Sequence, residues 1–119
     1  MDFYITDLLV YKVGNSLWKL VVITKTIKPG EAEDLINVFR WPMKKGGLRV
    51  VRFEDMDLQK LLWLAMSEKL MFYDASYIVA SEAAKATLAT EDAELREKAR
   101  KYVDVVDYKR LVEKLLRIL

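Results

Sequence analysis

The chain has 119 residues, 53% of them hydrophobic and 32% charged, with a formal net charge of +2, a composition that describes one globular domain able to bury a core and excludes a disordered or strongly basic protein. It contains no Cys and no His, which excludes a disulfide scaffold, a thiolate nucleophile, a Cys-based zinc site and the usual imidazole base. Carboxylate acting with a hard cation is the main chemistry left.

Phe3-Tyr4-Ile5 reads as a short strand. Thr6 then caps a helix whose apolar stripe is Val10, Val13, Gly14, Leu17, Leu20 and Val21, with Gly14 placed to let another backbone approach. The β-branched run Leu20–Thr24 continues that stripe and is read as helix. Pro29 opens a second helix at its first turn, with Ala32, Leu35, Ile36 and Phe39 on one face, and Pro42 is expected to end it. Gly46-Gly47 breaks the chain before Leu48-Arg49-Val50-Val51-Arg52-Phe53, the clearest strand. Asp55 or Asp57 caps a helix expected to bury Leu58, Leu61, Leu62 and Ala65. A strand over residues 103–106 precedes a last helix, capped by Asp107, that turns Leu111, Leu115 and Ile118 inward.

Between these lies the segment from Leu70 to Leu95, where Asp74 and Asp92 each follow a short apolar run and open a stretch of helical spacing. Both are expected at the point where a strand ends and a helix begins. In a parallel α/β sheet those points share the edge at which ligands bind. The plain structural alternative is that both are ordinary N-caps.

Phe72-Tyr73-Asp74-Ala75-Ser76-Tyr77-Ile78-Val79-Ala80, Leu88-Ala89-Thr90-Glu91-Asp92-Ala93-Glu94-Leu95 and Asp7-Leu8-Leu9-Val10-Tyr11-Lys12-Val13-Gly14-Asn15-Ser16-Leu17-Trp18-Lys19 together resemble three ordered motifs of the PIN domain family, in particular the VapC-type toxin ribonucleases. The resemblance implies an α/β fold, a three-layer α/β/α arrangement with a mainly parallel sheet, over a single domain of residues 1–119. It also implies Mg²⁺ or Mn²⁺ held by acids that activate water against an RNA phosphodiester. Asp74 and Asp92 take the catalytic and metal-ligating positions, Thr90 and Asn15 orient them, and Glu91 is a lesser candidate that points elsewhere.

Two departures weaken that chemistry. Lys12 stands three residues before Asn15, where the family helix carries an acid, and an ammonium group repels a divalent cation. The family's opening strand, which ends in an aspartate, and its first helices are not seen ahead of Phe3; they amount to roughly thirty to forty residues. In the family that strand is central, so its absence is expected to leave apolar edges and unpaired backbone groups. A homodimer, a repacked sheet or an upstream segment is expected to cover them.

Arg40, Lys44, Lys45, Arg49 and Arg52, around the Lys-Lys-Gly-Gly turn, are the candidate RNA-binding patch, with a solvated surface as the alternative. Lys109, Arg110, Lys114 and Arg117 are read as the group that keeps the last helix soluble. No segment has the apolar length of a membrane span and no signal-peptide pattern opens the chain, so a cytoplasmic protein is expected. Abundant Glu, Lys and Arg with few Asn and Gln fit a thermophilic source. Two functions follow. One is a metal-dependent endoribonuclease of toxin type, impaired unless a partner or upstream segment supplies an acid. The other is a catalytically inactive PIN-like module that binds itself or an antitoxin-like partner. RNA is a possible ligand, whereas neither a membrane nor DNA sequence readout is expected.

Overall fold

The computed structural model describes residues 2–38 and 40–118, without the side chains of Trp41 and Ile118. The expectations for Phe39 and for the inward turn of Ile118 therefore lie outside the described residues. The chain forms two compact units, Met1–Phe53 and Glu54–Leu119.

In the first unit, strand β1 (Phe3–Thr6) leads into helix α1 (Asp7–Val22). The Thr6 hydroxyl accepts from the Leu9 N–H at 3.2 Å and satisfies one of the free donors of the first turn. Helix α2 (Pro29–Asn37) starts with Pro29 at N1, where its missing N–H costs nothing. Pro42 does not end α2, contrary to expectation. It lies in the first turn of a further short helix, α3 (Arg40–Lys45), where proline is tolerated for the same reason. Gly46, at φ +86°, closes α3 in a conformation that L side chains resist. Strand β2 is shorter than expected, Leu48–Val51, and gives way to a 3₁₀ turn over Phe53–Asp55. It pairs in parallel with β1, Phe3 opposite Leu48 through Thr6 opposite Val51.

The stripe of α1 lies on the expected face but is only half-buried, and Leu20 is exposed, as are Leu35 on α2 and Phe3 and Tyr4 on β1. Among the described residues of this unit only Thr6 is buried. β1 pairs with β2 in a sheet of two strands, and Phe3 and Tyr4 stay exposed on it among the described residues. Gly14 does not admit a backbone. Among the described residues, a Cβ at this position would meet only the Ile36 side chain, at 4.0 Å, which is ordinary contact. Gly14→Ala is therefore expected to raise stability by about 0.5–1 kcal/mol through helix propensity, read as a higher urea midpoint at unchanged slope. A lower midpoint would mean that the site is tighter than this contact.

The second unit holds the core. Asp57, not Asp55, caps helix α4 (Leu58–Glu68), accepting from the Lys60 N–H at 3.1 Å. α4 buries Leu61, Leu64 and Ala65, whereas Leu58 and Leu62 are exposed, against expectation. The helix is apolar nearly all round, and packing against helix α5 (Phe72–Ala84) decides which face is inside. α5 contributes Ala75, Ile78 and Val79, each at most 3% exposed. Strand β3 (Leu88–Ala89), helix α6 (Ala93–Ala99), strand β4 (Val105–Val106) and helix α7 (Tyr108–Ile118) follow. β3 and β4 pair in parallel, Leu88 with Val105 and Ala89 with Val106. Lys101 donates to both Glu68 carboxylate oxygens at 2.8 and 3.0 Å. That hydrogen bond holds the Lys101 ammonium above its ordinary pKa.

The architecture is mixed α/β with parallel strands, in two two-stranded sheets, β1-β2 and β3-β4. Among the described residues no helix is long and apolar enough to cross a membrane.

Candidate active site

The carboxyl edge of the β3–β4 pair is built by two chain exits. From β3 the chain runs through Thr90 and Glu91 to Asp92, the N-cap of α6; from β4 it runs to Asp107, beside the start of α7. Thr90 N–H donates to the Val106 carbonyl at 3.1 Å, which fixes where the first exit leaves the sheet. The Thr90 hydroxyl accepts from the Asp92 N–H at 3.2 Å, and Arg96 donates to the Thr90 carbonyl at 3.1 Å. Together these bonds fasten the turn at both ends. Asp92 spends Oδ1 on the Leu95 N–H at 3.1 Å. Asp107 does the same for the Arg110 N–H at 2.8 Å. Glu91 is directed to the second exit, where its Oε1 accepts from the Tyr108 N–H.

Asp92 therefore stands where a strand passes into a helix, at the ligand-binding edge of a parallel pair. Asp74 does not. It sits half-buried in the first turn of α5, with Met71 at the N-cap, and no strand precedes it. α4 stops at Lys69, held at φ 55°, and Leu70 donates its N–H to the Ala65 carbonyl at 3.0 Å. The apolar run before Asp74 is thus a tight connection between two helices, with Leu70 plugged into the core. Of the pair Asp74 and Asp92, both the expected strand and the alternative N-cap role fail for Asp74.

In the first unit, Lys12 and Asn15 lie exposed on α1. Arg40, Lys44 and Lys45 are exposed on α3, Arg49 lies on β2 and Arg52 follows it. Arg49 is 3.7 Å from the Asp2 carboxylate, so its charge is partly matched. Asp7 begins α1 just beyond β1 and accepts from the Phe53 N–H at 3.3 Å, tying the exit of β2 to that of β1. The sequence does not mark Asp7 and Asp107 as site candidates, because a carboxylate one residue past a strand is indistinguishable in sequence from a plain cap. Among the described residues no group of three or more Asp or Glu is gathered so as to hold a metal ion.

The chain is 32% identical over 101 residues to Exonuclease VapC9 of Pyrobaculum aerophilum, covering 85% of this chain and 70% of that protein. It belongs to the VapC-type PIN domain family. The crystal structure of PAE2754 from Pyrobaculum aerophilum is also similar, with a TM-score of 0.75 at 27% identity over 96% of this chain and 72% of that one. No protein-family model matches the chain. In the turn after β3, Thr90 and Asp92 are linked directly through the Asp92 N–H.

Proposed function

We propose that this chain is a VapC-type protein of nuclease lineage whose own acids do not complete a metal centre, so that by itself it cleaves RNA weakly or not at all. The observation that carries this reading is the state of the acids. Asp92 stands at the carboxyl edge of β3, but one of its oxygens is committed to a helix cap, and among the described residues no three carboxylates are gathered so as to hold a metal ion. Lys12 stands at a position where the resemblance implies an acid, and an ammonium group cannot ligate a divalent cation. Mg²⁺ and Mn²⁺ are hard cations that need several oxygen ligands, and this donor set does not fit them. In this reading Asp74 and Asp92 are the remnant of the family's catalytic and metal set, and Thr90 the group that orients Asp92.

Likewise β1 and β3 each pair on one side only among the described residues. That is what is expected if the family's central strand is not among them.

The test is incubation of end-labelled single-stranded RNA with Mg²⁺ or Mn²⁺ beside an Asp92→Asn control from the same preparation. Little or no cleavage is expected in either lane. Complete conversion of the RNA by the unaltered chain, absent from the control, would overturn the reading, and the fragment lengths would separate internal cutting from the end-wise action that the name of the Pyrobaculum relative describes.

A second reading, a module that contacts another protein, is favoured by the surface of the second unit. Leu58, Leu62 and Met66 repeat every four residues along α4, and with Trp63, Met71 and Phe72 all are exposed. Such a stripe is what a partner helix covers. A second copy of this chain or an antitoxin-like partner would fit it.

A further inference from the structure

We infer that the polar face of α7 is a docking track for the phosphate backbone of single-stranded RNA, leading to the Asp92 turn; the choice of RNA rests on the nuclease lineage proposed above. α7 carries Lys109, Arg110, Lys114 and Arg117 against the single carboxylate of Glu113. That surplus of three positive charges exceeds the +2 of the entire chain. The remainder of the protein is thus slightly acidic in sum, and α7 is one of two basic patches that a polyanion meets, the other being Arg40, Lys44, Lys45, Arg49 and Arg52. At 100° per residue the four cations fall within an arc of about 140° and extend along about 12 Å of helix. Lys109, Arg110 and Arg117 are exposed and Lys114 is half-buried, and no described carboxylate forms an ion pair with any of them.

Two further observations give the track a direction and an occupant. The Glu91 carboxylate accepts from the Tyr108 N–H, so the cationic helix begins at the same turn that presents Asp92. Tyr108 itself is 67% exposed there, offering a ring on which a base can stack. The opposite face of α7 is partly engaged: Leu111, Val112 and Leu115 are half-buried and the helix packs on β4, while Leu116 stays exposed. A helix that binds an anionic membrane needs that apolar face free for insertion. Its loss leaves charge, which favours a soluble polyanion. The patch on α3 and β2 is weaker by the same measure, since Arg49 is matched by Asp2 and both Lys45 and Arg52 already interact within the protein.

Binding of a short fluorescein-labelled single-stranded RNA, followed by anisotropy in EDTA across a salt series, tests the inference without any cleavage. EDTA separates it from the nuclease reading, because RNA contact is measured with the metal removed. The triple variant Lys109→Gln, Lys114→Gln, Arg117→Gln is expected to bind about tenfold or more weakly, and to flatten the slope of log affinity against log salt by about 2. Arg40→Gln with Lys44→Gln on α3 is expected to stay within about twofold. Circular dichroism checks that the triple variant is folded. Should it not be, Lys109→Gln alone, on a fully surface side chain, is expected to lower the slope by about 0.7. Wild-type affinity and slope in the folded variants, equal losses in the α3 variant, no RNA binding by the unaltered protein, or tighter binding to phosphatidylserine vesicles than to RNA would each overturn the inference.

Discussion

Ile78→Ala is expected to destabilise the protein by about 2–5 kcal/mol, a large share of the stability of a domain of this size. Ile78 is 0% exposed at the centre of α5, beside Ala75 at 0% and Val79 at 3%, and with Leu61 of α4 it is one of the two largest fully buried side chains. Truncation removes three carbons from a site where surrounding helices cannot collapse freely, so a cavity term adds to the lost transfer energy. The same logic predicts a contrast along the chain. Every buried apolar residue described lies at or after Met56, and none lies in β1, α1 or α2. Leu17→Ala, on the half-buried stripe of α1, is expected to cost about 1 kcal/mol. Urea unfolding followed by Trp fluorescence compares the two. Equal losses would mean that the first unit owns a core of its own that the burial pattern does not register.

The second large effect separates the two roles of Asp92. Asp92→Ala removes the oxygen that accepts from the Leu95 N–H and is expected to cost about 0.5–2 kcal/mol, with faster amide exchange through the first turn of α6. Asp92→Asn keeps a side-chain oxygen, and Asn is as good an N-cap as Asp, so stability is expected to stay within about 0.5 kcal/mol of the unaltered protein. The pair therefore isolates charge from capping. Any property lost in both variants depends on the negative charge at the sheet edge; any property lost in the alanine variant alone depends on the shape of the turn. Stability falling equally in both would show that the carboxylate charge, acting on the helix dipole, outweighs the hydrogen bond.

These residues also show what is legible in a sequence. Thr6, Pro29, Asp57, Asp92 and Asp107 were readable as helix starts because capping is local chemistry, decided within three residues of the cap. Asp74 misled because Leu70-Met71-Phe72 has the composition of a buried strand, while the reversal that makes it a helical corner depends on Lys69 adopting a left-handed conformation without a glycine to announce it. Pro42 misled in a related way, since proline ends one helix and begins another with equal ease. On α4, residues 61–66 are all apolar, and contact with α5 selects Leu64 over Leu62. The link from Glu91 to α7 joins positions seventeen apart and has no local signature at all. Family membership was legible for a different reason: short motifs around Asp92, Asp74 and Asn15 keep residue types in order along the chain.

The account turns on whether Asp74 and Asp92, without further acids, hold a divalent cation. Titration of the unaltered protein with Mn²⁺, followed by the loss of the free-ion electron paramagnetic resonance signal, measures this directly. No saturable site tighter than about 1 mM is expected, and Asp92→Asn is expected to give the same curve. A stoichiometric site near ~10 µM that disappears in Asp92→Asn would contradict the account and show a working metal centre in this chain.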